Sequence, residues 1–211
     1  ITGCAGKIME MEQSGKTLMI LSDGKNCLGF AAAQDLVKKD SSEAVKLLKE
    51  MGITVHMVTG DNERTAAAAG RQTGIENITA AVMPEGKIKA VENLKKNGVV
   101  IFAGDGINDA PALASADVGA AFASGADIAS EAGNVVLMKN SPLDVVKLIQ
   151  ISRLTVKKVK QNLFWAFIYN IVGIPVAALG LLNPMIAGTA MAFSSVSVLL
   201  NSLSMQRSQR I

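Results

Sequence analysis

The chain has 211 residues, 49% of them hydrophobic, and a formal net charge of +3 from 21 Lys and Arg against 18 Asp and Glu. That length accommodates one ordinary soluble domain with a buried core plus a modest remainder. The small net charge, with no Lys/Arg run interleaved with aromatics, argues against a nucleic-acid surface, and Cys4 and Cys27, outside any Cys-x-x-Cys spacing, argue against a secreted disulfide framework.

Residues 1–16 read as a strand or loop entered midway, and the absence of an initiating Met suggests a fragment. Apolar runs at 17–22 and 27–33 flank Asp23-Gly24-Lys25-Asn26, the pattern of two strands joined by a tight turn. Ser41 and Ser42 precede a helical period through Met51 that Gly52 closes, and 53–59 is an apolar run of strand length. The alternation continues with a helix over 62–73, a strand near 78–82, a helix over 84–97 and a buried strand at 99–103. Further short elements follow at 111–114, 118–122, 128–132 and 135–138. Apolar strands separated by amphipathic helices predict an α/β fold with a doubly wound parallel sheet covered on both faces.

Composition changes abruptly near Gln161: from Asn162 to Met205 there is no Asp, Glu, Lys or Arg. Ser141-Pro142 opens a long helical stretch that enters this tail, and Asn183-Pro184 interrupts the tail near its middle. Two spans of about twenty residues, near 160–182 and 185–205, are each long enough to cross a bilayer. Basic residues before the first span and after the second place both ends in the cytoplasm. The alternative, a buried helix pair in a soluble domain, fits tandem uncharged stretches flanked by positive charge less well. The predicted organisation is an entry region over 1–33, an α/β domain over 34–141, and a linker helix with a transmembrane hairpin over 142–211.

Two loops stand at the carboxyl ends of predicted strands, where open parallel sheets bind ligands: Thr59-Gly60-Asp61-Asn62 and Gly104-Asp105-Gly106-Ile107-Asn108-Asp109. Glycine lets backbone approach a phosphate closely, and Asp105 and Asp109, four apart across a turn into a helix, can face one hard cation such as Mg²⁺. Lys87, near the start of a helix after Met83-Pro84-Glu85-Gly86, can reach the same phosphate as a point charge. Each signal alone is weak, since Gly-Asp pairs are common turns and a helix Lys is usually solvated. Their order, joined to a membrane hairpin, is what gives them weight.

In that order these residues resemble the heavy-metal-transporting P-type ATPases of the haloacid-dehalogenase-like superfamily, through Met57-Val58-Thr59-Gly60-Asp61-Asn62 and Ala103-Gly104-Asp105-Gly106-Ile107-Asn108-Asp109-Ala110-Pro111. The resemblance implies Mg²⁺ held by Asp105 and Asp109, a phosphoryl group contacted by Lys87 and Asn108, and orientation of that group by Thr59, Gly60 and Asp61. It also implies ATP as substrate and an aspartyl-phosphate formed in an Asp-Lys-Thr-Gly-Thr motif, which this sequence lacks. The expectation is therefore a C-terminal portion, inactive alone, whose nucleotide-binding and actuator domains and Cys-Pro-Cys membrane segment lie upstream. Asp35-Leu36-Val37-Lys38 stands where the family has an Asp-Pro-x-Lys hinge, with Leu in place of Pro.

Polar side chains in the spans carry the ion reading. Asn162 and Tyr169 are seven apart on one helix face, with Asn170 and Pro175 beyond, while Met191 and Ser195 share a face of the second span, near Ser194 and Asn201. Taken alone, they read first as residues that stitch helices together, with Met as core filler. Their spacing resembles the last two membrane helices of copper(I) pumps, which implies Tyr169, Asn170, Met191 and Ser195 as ligands of transported Cu(I), for which a thioether and an uncharged site are suited. Silver(I) is the chemically similar alternative, and a membrane-tethered phosphatase of the same superfamily the other. The resemblance further implies outward transport, copper delivery by a metallochaperone, and a multi-pass protein of the cell membrane with its phosphorylation domain in the cytoplasm. His56 reads as a strand residue, having no partner at metal spacing.

Overall fold

The computed structural model describes residues 5–13, 16–24, 26–33, 37–104, 107–123, 133–180 and 184–208, which form two units, Ile1–Val146 and Lys147–Ile211. The first unit opens with helix α1 (Ala5–Gln13), where the sequence reading expected a strand or loop. Its Met, Glu, Gln and Lys residues are good helix formers, and that local propensity decides the outcome. Strands β1 (Thr17–Ser22) and β2 (Cys27–Ala33) form the expected antiparallel hairpin, with Thr17 opposite Ala33 and a register shift at Leu21/Ser22. Its turn is held by the Asp23 carboxylate, which accepts from the Asn26 amide at 2.6 Å.

Helix α2 (Ser41–Glu50) buries Ala44 and Val45 and leads to β3 (His56–Val58). Helix α3 (Glu63–Thr73) begins at Asn62, whose side chain accepts from the Thr65 amide at 2.9 Å, and ends at Gly74 in the left-handed region with φ +78°. Asn62 satisfies one of the orphan amides of the first turn, and glycine takes the positive φ without a Cβ penalty. Strand β4 (Asn77–Thr79) pairs parallel with β3. Helix α4 (Pro84–Lys95) follows, with Pro in its first turn. Then come β5 (Ile101–Gly104), a 3₁₀ turn at Ile107–Asp109, α5 (Ala110–Ser115), β6 (Val118–Phe122) and β7 (Val135–Leu137).

Strands β5, β6 and β7 pair in parallel in that order, so the described strands form two parallel pieces, β3–β4 and β5–β6–β7. The apolar run at 53–59 yields only three strand residues, because β4 offers three partners. The element expected at 128–132 lies outside the described residues. Val91 of α4 packs with Ala112 and Ala116 beneath Val100 and Phe102, and Leu113 packs with Ala121. Small alanines let α5 lie close against its neighbours, and full burial of Leu113 and Val91 contributes about 2 kcal/mol each.

The second unit is built from α6 (Leu143–Ala178), which begins before it, and α7 (Pro184–Ser208). At 36 residues α6 is far longer than a single span of about twenty because the linker and the apolar stretch form one continuous helix. It ends just after Pro175, at Gly180 with φ +73°. Among the described residues α6 is the helix long and apolar enough to cross a membrane, and α7 contains a shorter apolar stretch, Ala192–Ser204. Large apolar side chains on both are exposed, among them Phe167, Ile171, Ile174, Phe193 and Leu200.

Candidate functional site

The Thr59-Gly60-Asp61 loop leaves the carboxyl end of β3 and is fastened to the segment that follows β4. The Thr59 amide extends the ladder to the Thr79 carbonyl at 3.0 Å, and the amides of Ala81 and Val82 donate to the carbonyls of Asp61 (2.7 Å) and Thr59 (3.2 Å). Within the loop, the Thr59 hydroxyl donates to the Asp61 carboxylate at 2.9 Å and accepts from the Asp61 amide at 3.1 Å. Closing this double strap puts Ala81 at φ +53°, a left-handed conformation that costs an alanine about 1–2 kcal/mol. Three residues later Pro84 starts α4, which fixes where Lys87 emerges.

Lys87 reaches Asp109, its ammonium 2.5 Å from Oδ1, with both side chains largely buried at 17% and 13% exposure. Behind Asp109, Gly104 closes β5: a Cβ there would stand 2.8 Å from the other carboxylate oxygen, so only glycine admits the carboxylate in this position. Lys87 and Asp109 are thus brought together, 22 residues apart in sequence, and the strapped loop is tied to the segment that leads into α4. Asn108 is exposed on the 3₁₀ turn. Asp105 lies outside the described residues.

The donor chemistry fits Mg²⁺: Asp109 presents hard carboxylate oxygens at a strand end, in a cradle that a Cβ at residue 104 would fill. Among the described residues no group of three His, Cys, Asp or Glu converges, so Asp109 alone is in view. Sequence reading missed Ala81, because alanine carries no signal for a left-handed backbone. It also missed Asp117, which accepts from the Val100 amide at 2.9 Å and pairs with Lys95 at 3.2 Å. The Val100 hydrogen bond, helped by Lys95, holds the Asp117 carboxyl below its ordinary range.

Asp35 and Leu36 of the expected hinge lie outside the described residues, but Lys38 donates to the Asn140 side chain and sits 4.8 Å from the Phe122 ring centre. The Ser141 hydroxyl donates to Asp40. His56 is exposed on β3 and Cys27 is a half-buried free thiol.

In the second unit, polar side chains join α6 to α7. The Tyr169 hydroxyl lies 3.5 Å from that of Ser197, and the Asn162 amide nitrogen donates to Ser202 at 2.9 Å. Asn201 donates to the Asn162 carbonyl oxygen at 2.7 Å, while Lys158 donates to Asn201 at 3.0 Å and to Ser204 at 2.8 Å. Asn170, by contrast, donates to the Ala166 carbonyl of its own helix and is exposed. Ser195 is exposed on α7, and the Met191 side chain lies outside the described set. The helix-stitching reading thus accounts for Asn162, Tyr169 and Asn201, and sequence analysis missed Lys158 as part of that network.

Residues 6–117, more than half of the chain, match the haloacid dehalogenase-like hydrolases. Over 94% of its length the chain is 54% identical to a probable copper-importing P-type ATPase A of Enterococcus hirae, and over 94% it is 51% identical to a copper-exporting P-type ATPase of Bacillus subtilis. It covers 28% and 25% of those two proteins, about a quarter of each. It also resembles the crystal structure of a zinc-transporting PIB-type ATPase in the E2.Pi state, with a TM-score of 0.85 and 33% identity over 96% of this chain and 34% of that one. With its paired Lys and Asp at the carboxyl ends of parallel strands, the chain belongs to the haloacid dehalogenase-like hydrolase family.

Proposed function

We propose that this chain is the C-terminal part of an ATP-driven copper(I) transporter, supplying much of a phosphorylation domain and two membrane helices. The observation that carries the catalytic half is the Lys87–Asp109 pair, 2.5 Å apart and largely buried behind Gly104. A lysine and a carboxylate held at strand ends suit a site where phosphate charge is exchanged rather than a surface ion pair. Lys87 contacts the transferred phosphoryl group as a point charge, the Thr59-Gly60-Asp61 loop orients it, and Asn108 completes the shell. Asp109, with Asp105, would hold Mg²⁺, which supplies charge neutralisation for the phosphoryl oxygens. The phosphorylated carboxylate comes from an upstream segment, in keeping with the chain's quarter share of its relatives.

The membrane half rests on the charge-free sequence from Asn162 to Met205 and on the exposed apolar surface of both helices. Such surface is costly in water and suited to lipid. Tyr169, Asn170, Met191 and Ser195 form part of an uncharged, soft path for the ion, which favours Cu(I), or chemically similar Ag(I), over Zn²⁺. Both ends of the helix pair face the cytoplasm, and a copper chaperone is the expected donor of the ion. Outward transport is part of the proposal; the names of the two relatives point in opposite directions, so uptake into inverted vesicles decides it.

The catalytic half is tested by phosphoenzyme formation from ATP in the longer protein that contains this chain. Lys87→Met and Asp109→Asn are expected to lower the phosphoenzyme level or its turnover at least tenfold, consistent with loss of one charged contact to the transferring group. Wild-type phosphorylation and hydrolysis in both variants would remove these residues from the mechanism.

A further inference from the structure

After Asp144 the chain has no acidic residue, yet it carries seven Lys and Arg. Arg153, Lys157, Lys158 and Lys160 line an open cavity of about 780 Å³ within the second unit, beside Gln161 and Trp165. None of the described lining residues is acidic. Lys158 is held by the neutral oxygens of Asn201 and Ser204, so its position is fixed while its charge is left without a counter-ion from those partners. The Gln161 side-chain oxygen is buried and has no hydrogen-bond partner among the described residues, which leaves an acceptor in want of a donor. Lys157, Lys160 and Trp165 are exposed.

The vertical order of these groups is that of a membrane interface. At 1.5 Å per residue, Trp165 stands about 7.5 Å along α6 from Lys160, roughly the depth of one headgroup layer. Beyond it, in the direction of Phe167, Ile171 and Ile174, the exposed surface is apolar. Basic side chains at phosphate depth with tryptophan beneath form the arrangement that binds anionic headgroups.

We propose that this cavity binds the headgroup of an anionic phospholipid, a phosphodiester bearing free hydroxyls as in phosphatidylglycerol. The phosphate is held by Lys157, Lys158 and Lys160, with the Gln161 side chain beside it in the cavity wall. The acyl chains then lie along the apolar surface of α6 below Trp165. The proposal rests on the reading of α6 as a membrane helix, and the experiment separates the two.

Trp165 is the sole tryptophan in the chain and serves as a local reporter. The chain is placed in phosphatidylcholine nanodiscs, and Trp165 emission is followed as brominated phosphatidylglycerol or brominated phosphatidylcholine replaces part of the host lipid at equal mole fraction. Each lysine near an anionic headgroup is worth about fivefold in association, so brominated phosphatidylglycerol should quench at several-fold lower mole fraction than brominated phosphatidylcholine. Lys157→Gln/Lys160→Gln should abolish that preference. The charge-keeping pair Lys157→Arg/Lys160→Arg should retain it, which guards against simple misfolding, and Lys147→Gln, outside the cavity, should leave it intact. Equal quenching by the two lipids, a preference that survives the double Gln variant, or its equal loss in Lys147→Gln would overturn the site. Elimination of the preference by millimolar inorganic phosphate would assign the cavity to a soluble anion and overturn the lipid proposal. Quenching by aqueous iodide and by neither lipid would instead sink the membrane reading beneath it.

Discussion

Removing Lys87 while leaving Asp109 in place tests whether the site is built as described. Lys87→Met keeps the aliphatic stem but removes the ammonium from a carboxylate that is only 13% exposed and has Gly104 at its back. A hydrogen bond to a charged group contributes about 1.5–3 kcal/mol, and the residual exposure of both side chains keeps the loss below the 3–5 kcal/mol of a fully buried pair. The expected destabilisation of the α/β unit is therefore about 2 kcal/mol. Asp109→Asn retains an oxygen for Lys87 and should cost less, and the double variant should recover part of the sum. Hydrogen exchange at the Val91 amide, in the buried face of α4, reports the stability of this unit across the four proteins of the cycle. Additivity to within about 0.5 kcal/mol would mean that the two side chains do not interact, and the account of the site would fail.

Three further outcomes follow from particular contacts. Gly119→Ala would place a Cβ 2.5 Å from the Leu113 carbonyl oxygen, a backbone atom that cannot swing aside, so a loss of about 1–3 kcal/mol is expected by denaturant unfolding. Ala81→Gly relieves the left-handed strain at φ +53° but loosens the unfolded chain, for a net gain of about 0.5–1 kcal/mol; a loss would mean that the strap beside Thr59 is not strained. Because Asp117 has a folded pKa below its ordinary value, its contribution is fully present above the unfolded value of about 4 and is lost as pH falls through the folded one. Asp117→Asn should therefore flatten the acid limb of a stability-against-pH curve, and an unchanged acid limb would contradict that role.

Much of the local structure could be read from residues that act over short range. The hairpin at Thr17–Ser22 and Cys27–Ala33, the helix that starts at residue 62 and the Thr59-Gly60-Asp61 loop all depend on neighbours within a few positions. The start of the chain was misread because its apolar residues lack a strand's alternation while its Met, Glu and Gln favour a helix. The strand at 53–59 was overextended, since an apolar run says nothing about how many partners the next strand supplies. Lys87 and Asp109 were legible as members of one site but not as an ion pair, because the contact joins two elements 22 residues apart. The Lys158–Asn201 bond spans 43 residues and was invisible for the same reason. The charges around Lys158 read only as a topogenic flank until α7 was placed beside them.

The most direct test of the transport proposal is ATP hydrolysis in lipid by the longer protein containing this chain, with Cu(I) and Zn²⁺ compared in the wild type and in Met191→Ala. The account predicts stimulation by Cu(I) that Met191→Ala abolishes, with little response to Zn²⁺. Stimulation by Zn²⁺ alone would keep the phosphorylation chemistry and contradict the soft-ion reading of the membrane helices.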